Sequence, residues 1–137
     1  MKKITKINNP QLYQTIIDCD KKWAAANKLM NSASMVTLYH KNAVLWGTLA
    51  TSVCTNHTQI KKYFTFLFGA GRTNLTVNFK KMQLHEDAGL VFNNGNYVFS
   101  WIVNNEPVSV TARFTFVYKK TEEVYKIIQH HSSIMPQ

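Results

Sequence analysis

The side chains best suited to chemistry lie at the C-terminus, where two imidazoles precede two hydroxyls at positions 130–133. His130 and His131 follow a β-branched run and therefore belong to a predicted terminal strand. Side chains alternate across a strand, so His130 shares one face with Ser132 and His131 shares the other with Ser133. A nucleophilic Ser–His pair needs an orienting carboxylate, and no G-x-S-x-G motif is present. The pattern favours a hydrogen-bonding role for one histidine, across the sheet or at a subunit contact, and alternation leaves open which one faces inward.

Arg113 is the second candidate, because it is a lone cation in the middle of a predicted strand. One face of that strand is apolar, and Arg113 shares the other with small hydroxyl residues. A guanidinium offers a forked pair of donors to a carboxylate or phosphate. One interpretation places Arg113 inside a pocket as the anchor for an anion. The other places it at a rim or interface, paired with an acid such as Asp18.

Acids are scarce, with seven Asp and Glu in 137 residues. Five of them fall at predicted turns, so only Asp18 and Asp20, on the flanks of the first helix, could approach an interior cavity. An isomerase or dehydratase needs an acid or base there, and the scarcity argues against one. His40, His57 and His85 lack the short spacings of zinc ligands. We predict no metal site and no cofactor.

The first half of the chain has a helical period. Asn9 and Pro10 suit an N-cap and a first helical position, and an apolar stripe with steps of three and four follows. The stripe consists of Leu12, Ile16, Cys19, Trp23, Ala26 and Met30. A short helix over residues 35–39, strands over 43–46 and 49–53, and a helix from a capping box at Asn56 to Gly69 are predicted next.

The second half has the period of strands. We predict four long strands over residues 75–84, 88–103, 108–118 and 124–133, separated by turn sequences. Asn93-Asn94-Gly95, within the second of them, predicts a bulge. Helices followed by a strand meander indicate an α+β fold.

Six segments, in this order and spacing, resemble the nuclear-transport-factor-2-like (SnoaL-like) cone folds, in the branch related to the association domain of calcium/calmodulin-dependent protein kinase II. They are WAAA at 23–26, LYxxNAVL at 38–45, IKKYF at 60–64, GNYVF at 95–99, ARFTFVY at 112–118 and HHSSxMP at 130–136. The resemblance implies one domain over residues 1–137, in which a bent antiparallel sheet wraps the N-terminal helix and leaves an open mouth. The chain departs from its relatives at 122–125, where they usually carry a glycine turn and a Trp.

The resemblance also implies a pocket, with Arg113 as charge anchor and His131 as polar partner. The aromatic residues proposed to line it are Trp23, Tyr39, Trp46 and Tyr97. Tyr63 and Trp101 are further candidates for the mouth, although each of these six residues also suits a core. We therefore expect a noncatalytic or weakly catalytic homodimer that binds a small, anionic organic ligand. The alternatives are a SnoaL-like isomerase, cyclase or hydrolase acting on a polyketide-like substrate, and an oligomerisation module like the kinase association domain.

Composition limits the partners. The net charge is +9, but the lysines form scattered pairs and only two of the sixteen basic residues are Arg, so we expect no nucleic-acid binding. No apolar run approaches the ~20 residues that span a bilayer, and no secretory signal is recognisable. We expect a cytoplasmic protein with reduced Cys19 and Cys54. The strands are rich in apolar residues on both faces, and this predicts a homodimer through the outer face of the sheet.

Overall fold

The computed structural model describes residues 2–136, with the backbone alone for the first strand. Within this part of the chain, three helices and six strands form an α+β structure, as predicted. They are β1 Lys2–Lys6, α1 Pro10–Leu29, α2 Ser32–Val36, β2 Tyr39–Trp46, α3 His57–Leu67, β3 Thr73–Asp87, β4 Leu90–Val103, β5 Glu106–Thr121 and β6 Val124–Ile134.

Helix α1 begins and packs as its sequence predicts. The Asn9 side chain accepts hydrogen bonds from the backbone N–H groups of Gln11 and Leu12, and Pro10 occupies the first turn. The helix buries Ile16, Trp23 and Ala26 of its stripe, and Trp23 is 1% exposed in the core. Asp20 and Asn27, which the stripe does not contain, are also buried.

The sheet is mixed, which corrects the prediction of an antiparallel one. Its strand order is β1-β3-β4-β5-β6-β2. The four long strands pair antiparallel as predicted, but β1 joins β3 in parallel and β2 joins β6 in parallel. The sheet is strongly curved and unclosed, with one face on α1 and the other turned outward, so the cone shape is confirmed.

The predicted bulge lies on the neighbouring strand instead. The pairing of β3 with β4 shifts between Phe79 and Lys81, whereas residues 93–95 keep a regular register. Gly95 has a different role, because a Cβ there would lie 1.8 Å from the backbone oxygen of Lys81. The Asn96 side chain accepts a hydrogen bond from the Lys81 N–H. Gly95 and Asn96 together thus permit the close approach of a bulged partner.

The region between α1 and α3 differs most from its prediction. Helix α2 ends at Val36, so Tyr39 starts a strand instead of ending a helix. The second predicted short strand reduces to a single bridge between Leu45 and Cys54. The residues between them form a loop. No helix among the described residues is long and apolar enough to cross a membrane.

Candidate ligand-binding site

The core of the cone contains a chain of hydrogen bonds between buried side chains. Trp23 Nε1 of α1 donates to the Tyr39 hydroxyl at 3.1 Å, and this hydroxyl lies 2.8 Å from His130 Nδ1. The other ring nitrogen, His130 Nε2, lies 3.1 Å from the Tyr97 hydroxyl. Alternation along β6 therefore turns His130 inward, where both of its nitrogens have phenolic partners.

The same chain continues towards the open end of the cone. The Tyr97 hydroxyl donates to Ser132 Oγ at 2.6 Å, and Ser132 Oγ lies 2.6 Å from Thr48 Oγ1. Thr48 belongs to the loop after β2 and is half-buried. We call the six residues from Trp23 to Thr48 the hydroxyl chain; in order they are Trp23, Tyr39, His130, Tyr97, Ser132 and Thr48.

Burial keeps the titratable members of the hydroxyl chain neutral. It lowers the pKa of His130 to about 3, and the neighbouring His131 adds to this shift. Burial also raises the pKa values of Tyr39 and Tyr97 above those of free tyrosine, although hydrogen bonds from Trp23 and to Ser132 oppose the rise. The chain consequently carries no charge at neutral pH.

Thr48 lies where two spaces adjoin. The inner recess has room for about one water molecule and is bordered by Trp23 and by the hydroxyl chain from His130 outward. The mouth cleft, about 70 Å³ and partly open to solvent, shares Thr48, Tyr63, Leu67 and Phe99 with that recess. The remaining residues of the mouth cleft are Leu49, Trp101, Val110, Ala112 and Ile134.

Gly47 brings Tyr63 into the wall between the two spaces. A Cβ at Gly47 would lie 2.2 Å from the Tyr63 ring, so only glycine permits this contact without displacing the ring. The Leu49 N–H donates to the Tyr63 hydroxyl at 3.3 Å and ties the loop to α3. The loop after β2 thus forms one wall of the mouth cleft.

Of the six residues predicted for the site, three lie together in the interior: Trp23, Tyr39 and Tyr97 belong to the hydroxyl chain. The prediction that Arg113 points into the cone is wrong, because Arg113 is exposed while its neighbours Ala112 and Phe114 are buried. Helix α1 covers the face with the larger aromatic residues, since burying them removes more apolar area from water.

His131 and Trp46 also lie on the outer face, paired with each other in register and both exposed. His130, not His131, is the inward histidine. The predicted apolar outer patch is wrong at its centre, where Arg113 lies among Asn96, Thr115 and Ser133. Which of the six residues contact a ligand stays a prediction.

Apart from Tyr63 and Trp101, the residues of the mouth cleft were missed, although strand alternation contains the signal for most of them. Phe99 and Trp101 share the inward face of β4 with Tyr97, and Val110 and Ala112 share that of β5 with Phe114. Thr48 carries no such signal, because its loop has no period. Among the described residues, no group of three His, Cys, Asp or Glu side chains could hold a metal ion.

Comparison with known proteins gives consistent matches. The family model described as SnoaL-like domain matches residues 16–137. A candidate calcium/calmodulin-dependent protein kinase II association domain from Xanthomonas campestris is 27% identical, with a TM-score of 0.82, and the match covers 96% of this chain and 91% of the other.

Two further solved structures show the same fold at lower identity. A candidate aromatic ring hydroxylase from Novosphingobium aromaticivorans is 16% identical, with a TM-score of 0.82 and coverage of 95% and 94%. A candidate dehydratase of the NTF2-like family from Streptomyces avermitilis is 9% identical, with a TM-score of 0.83 and coverage of 94% and 100%. No curated protein matches the chain.

Proposed function

We propose that this chain, which belongs to the SnoaL-like domain family, binds a small, uncharged and largely apolar organic molecule in the mouth cleft. One observation carries the proposal: all nine residues around the cleft are uncharged, and most are aliphatic or aromatic. Hydroxyl groups are confined to Thr48 and Tyr63, at the boundary with the inner recess. Apolar walls with a few polar groups at one end are typical of sites for small organic ligands.

The position of the cations supports a neutral ligand rather than an anion. Arg113 lies on the outer face of the sheet. Arg72, 5.7 Å from the Trp101 ring, is the cation beside the cleft. Its Nη1 is 3.4–3.5 Å from the carbonyl oxygens of Phe66, Leu67 and Gly69, where it caps the C-terminus of α3. Neither guanidinium is directed at the cleft as an anion anchor.

The expected affinity is moderate. A bicyclic aromatic molecule that loses roughly 200 Å² of apolar surface to the cleft gains about 5 kcal/mol, from which the cost of association is subtracted. Dissociation constants in the millimolar range or weaker are therefore expected for simple probes, and titration by NMR is suited to them.

The enzyme alternative lacks a carboxylate at the cleft. Six of the seven acids are exposed, at turns or on the outer side of α1, and the seventh, Asp20, is buried against Tyr118 and Asn93. An acid or base catalyst must reach the substrate directly or through one water. No carboxylate borders the mouth cleft, so we do not advance the enzyme as a second proposal.

The test compares naphthalene with 1-naphthoate, followed by backbone amide shifts. We expect naphthalene to shift the amides of Leu67 and Trp101 in the wild type. Val110→Phe fills the cleft from β5 and should abolish these shifts. Thr111→Phe, the next residue on the opposite face, is the matched control and should keep them.

Arg113→Met addresses the charge of the ligand. Removal of a cation on the outer face should leave the naphthalene response unchanged. If naphthoate binds tighter than naphthalene and this preference disappears in Arg113→Met, the neutral-ligand proposal is wrong. If Val110→Phe and Thr111→Phe respond alike, the ligand does not bind in the mouth cleft.

Self-association through the outer face stays a prediction. Trp46 is 41% exposed there, beside His131, and half-buried Val98 and Val117 flank the polar centre. A mixed surface with an aromatic residue is typical of non-obligate interfaces. Sedimentation at micromolar concentration should show a dimer that Trp46→Lys converts to a monomer, and a wild type that sediments only as a single chain would contradict this.

A further inference from the structure

The hydroxyl chain begins at a group that can only donate. An indole nitrogen carries one hydrogen and accepts none, so the Tyr39 oxygen accepts from Trp23. The Tyr39 proton then needs an acceptor of its own, because an unsatisfied buried donor costs about 1–3 kcal/mol. Of the two partners described for this hydroxyl, only His130 Nδ1 can accept. Trp23 therefore sets the direction of the next bond.

The tautomer of His130 follows from that bond. Nδ1 accepts from Tyr39, so the single proton of the neutral ring lies on Nε2 and is donated to the Tyr97 oxygen. The neutral form is favoured because the ring is 2% exposed and packs against Trp23 and Phe116. Its described hydrogen-bond partners are phenols, and no carboxylate is among them to stabilise a cation.

The direction continues to the surface of the cleft. Tyr97 donates to Ser132 Oγ at 2.6 Å. Of the partners described for Ser132 Oγ, Thr48 is the one left to accept its proton, at 2.6 Å. Thr48 Oγ1 then accepts the hydrogen bond from Ser132, and the Thr48 hydroxyl proton is left for another acceptor. Because Thr48 borders both the inner recess and the mouth cleft, this proton is available at their junction.

We propose that the hydroxyl chain is a directed relay that makes Thr48 a hydrogen-bond donor, so that the ligand of the mouth cleft presents a carbonyl or ether oxygen to it. The inference deepens the proposed function and rests on it. The ligand class is an apolar ring compound with an acceptor oxygen at one end and no charge. A ligand whose group at that end can only donate, such as an indole N–H, leaves the Thr48 proton without an acceptor and is disfavoured.

The direction of the relay can be tested without a ligand. Long-range ¹H–¹⁵N spectra distinguish protonated from unprotonated ring nitrogens, and His130→Gln identifies the signals of His130 among those of the five histidines. We expect a proton on Nε2 and none on Nδ1 at pH 7. A proton on Nδ1, or on both nitrogens, would overturn the direction from Trp23 to Thr48.

The ligand class is tested with three compounds of nearly equal size. 1-Indanone presents an acceptor, indole a donor, and indane neither. Thr48→Val removes the hydroxyl at constant shape. It should weaken the affinity for 1-indanone about three- to tenfold, the range of one neutral hydrogen bond. Indane and indole should change less than about twofold, since neither hydrogen-bonds to Thr48. Thr48→Ser keeps the donor and should retain the affinity for 1-indanone.

The outcomes separate the two proposals. If all three compounds bind but Thr48→Val weakens them equally, or weakens indole most, the donor assignment is wrong and the cleft remains a binding site. If none of the three binds the wild type, the proposed function fails and the ligand class with it. Equal loss of 1-indanone in Thr48→Val and Thr48→Ser would also refute the donor role, because serine keeps the hydroxyl.

Discussion

Two buried polar clusters lie in the core, and only one of them leads to a cleft with uncharged walls. In the hydroxyl chain, each bond leads to the next, and the last residue borders the mouth cleft. The second, which we call the Asp20 cluster, is closed. Tyr118 donates to Asp20 Oδ1 at 2.7 Å and Asn93 donates to Oδ2 at 2.6 Å. Asn93 Oδ1 is buried without a partner among the described residues.

The comparison shows that burial of a polar group is not in itself a sign of function. Tyr118 borders a different cleft of about 60 Å³, which has Lys22 and Lys126 in its wall. Lys126 Nζ there donates to the backbone oxygen of Thr37, so it is already engaged. The hydroxyl chain differs in that its last residue, Thr48, borders the apolar mouth cleft. This difference can be tested by changing equivalent groups in the two clusters.

The two clusters respond to pH with opposite sign. Burial raises the pKa of Asp20 to about 7, with hydrogen bonds from Tyr118 and Asn93 opposing the rise, and lowers that of His130 to about 3. From about pH 4 to 6.5 the native state keeps a proton on Asp20 that the unfolded chain has lost, so stability falls as pH rises. Over the same range the unfolded chain holds a proton on His130 that the native state excludes, so stability rises. Each slope is about 1.4 kcal/mol per pH unit, and the two nearly cancel.

Asp20→Asn should produce the largest change, because it removes one of the opposing slopes. Relative to wild type, the free energy of unfolding should rise by about 1.4 kcal/mol per pH unit from about pH 4 to 7, roughly 4 kcal/mol in total. The amide fits the site, since it still accepts from Tyr118 and can donate to the unpartnered Asn93 Oδ1. Urea denaturation across this range measures the difference.

Asp18→Asn is the matched control for that measurement, because Asp18 is an exposed acid two residues away on the same helix. Its difference from wild type should vary much less with pH. A flat difference for Asp20→Asn would mean that Asp20 is ionised in the native state at pH 5, and the closed cluster would then need an unrecognised cation.

His130→Gln should give a pH-dependent difference from wild type whose sign is opposite to that of Asp20→Asn. Wild-type stability contributed by His130 is present above about pH 6.5 and is lost as pH falls. Relative to wild type, the free energy of unfolding of the variant should therefore fall as pH rises from 4 to 6.5, by about 3 kcal/mol. His131→Gln, on the exposed face of the same strand, is the control. If His131→Gln gives the larger pH dependence, the inward histidine is misassigned.

The sequence predicts the helices and strands better than it predicts which of their side chains turn inward. The period of α1, its N-cap and the four long strands are confirmed, because local propensity and burial favour the same conformation there. Alternation also separated Arg113 from Phe114 correctly. The error lay in choosing which face turns inward, where the greater apolar area of the aromatic face should have decided.

The sequence leaves open which of Asp18 and Asp20 turns inward, and it carries no signal for the position of Thr48. Asp20 lies at the edge of the apolar stripe, and only tertiary pairing with Asn93 and Tyr118, 73 and 98 residues away, makes its burial tolerable. Thr48 lies in a loop whose position depends on Gly47 and Tyr63. Long-range contacts of single side chains leave no period in a sequence.

The smallest effect, and the sharpest test of the comparison, comes from two buried tyrosines. Tyr97→Phe breaks the hydroxyl chain between His130 and Ser132, and Tyr118→Phe removes one donor from Asp20. Each should cost about 1–3 kcal/mol of stability, because a buried partner loses its hydrogen bond.

Only Tyr118→Phe should raise the pKa of Asp20 further. Only Tyr97→Phe should weaken the binding of 1-indanone, by a few-fold. Without the Tyr97 hydroxyl, Ser132 Oγ no longer accepts a hydrogen bond, and the Ser132 proton is free to turn away from Thr48. Titration of both variants by NMR, beside urea denaturation, measures the two effects separately. Equal affinity of both variants for 1-indanone would show that the cleft does not depend on the direction of the hydroxyl chain.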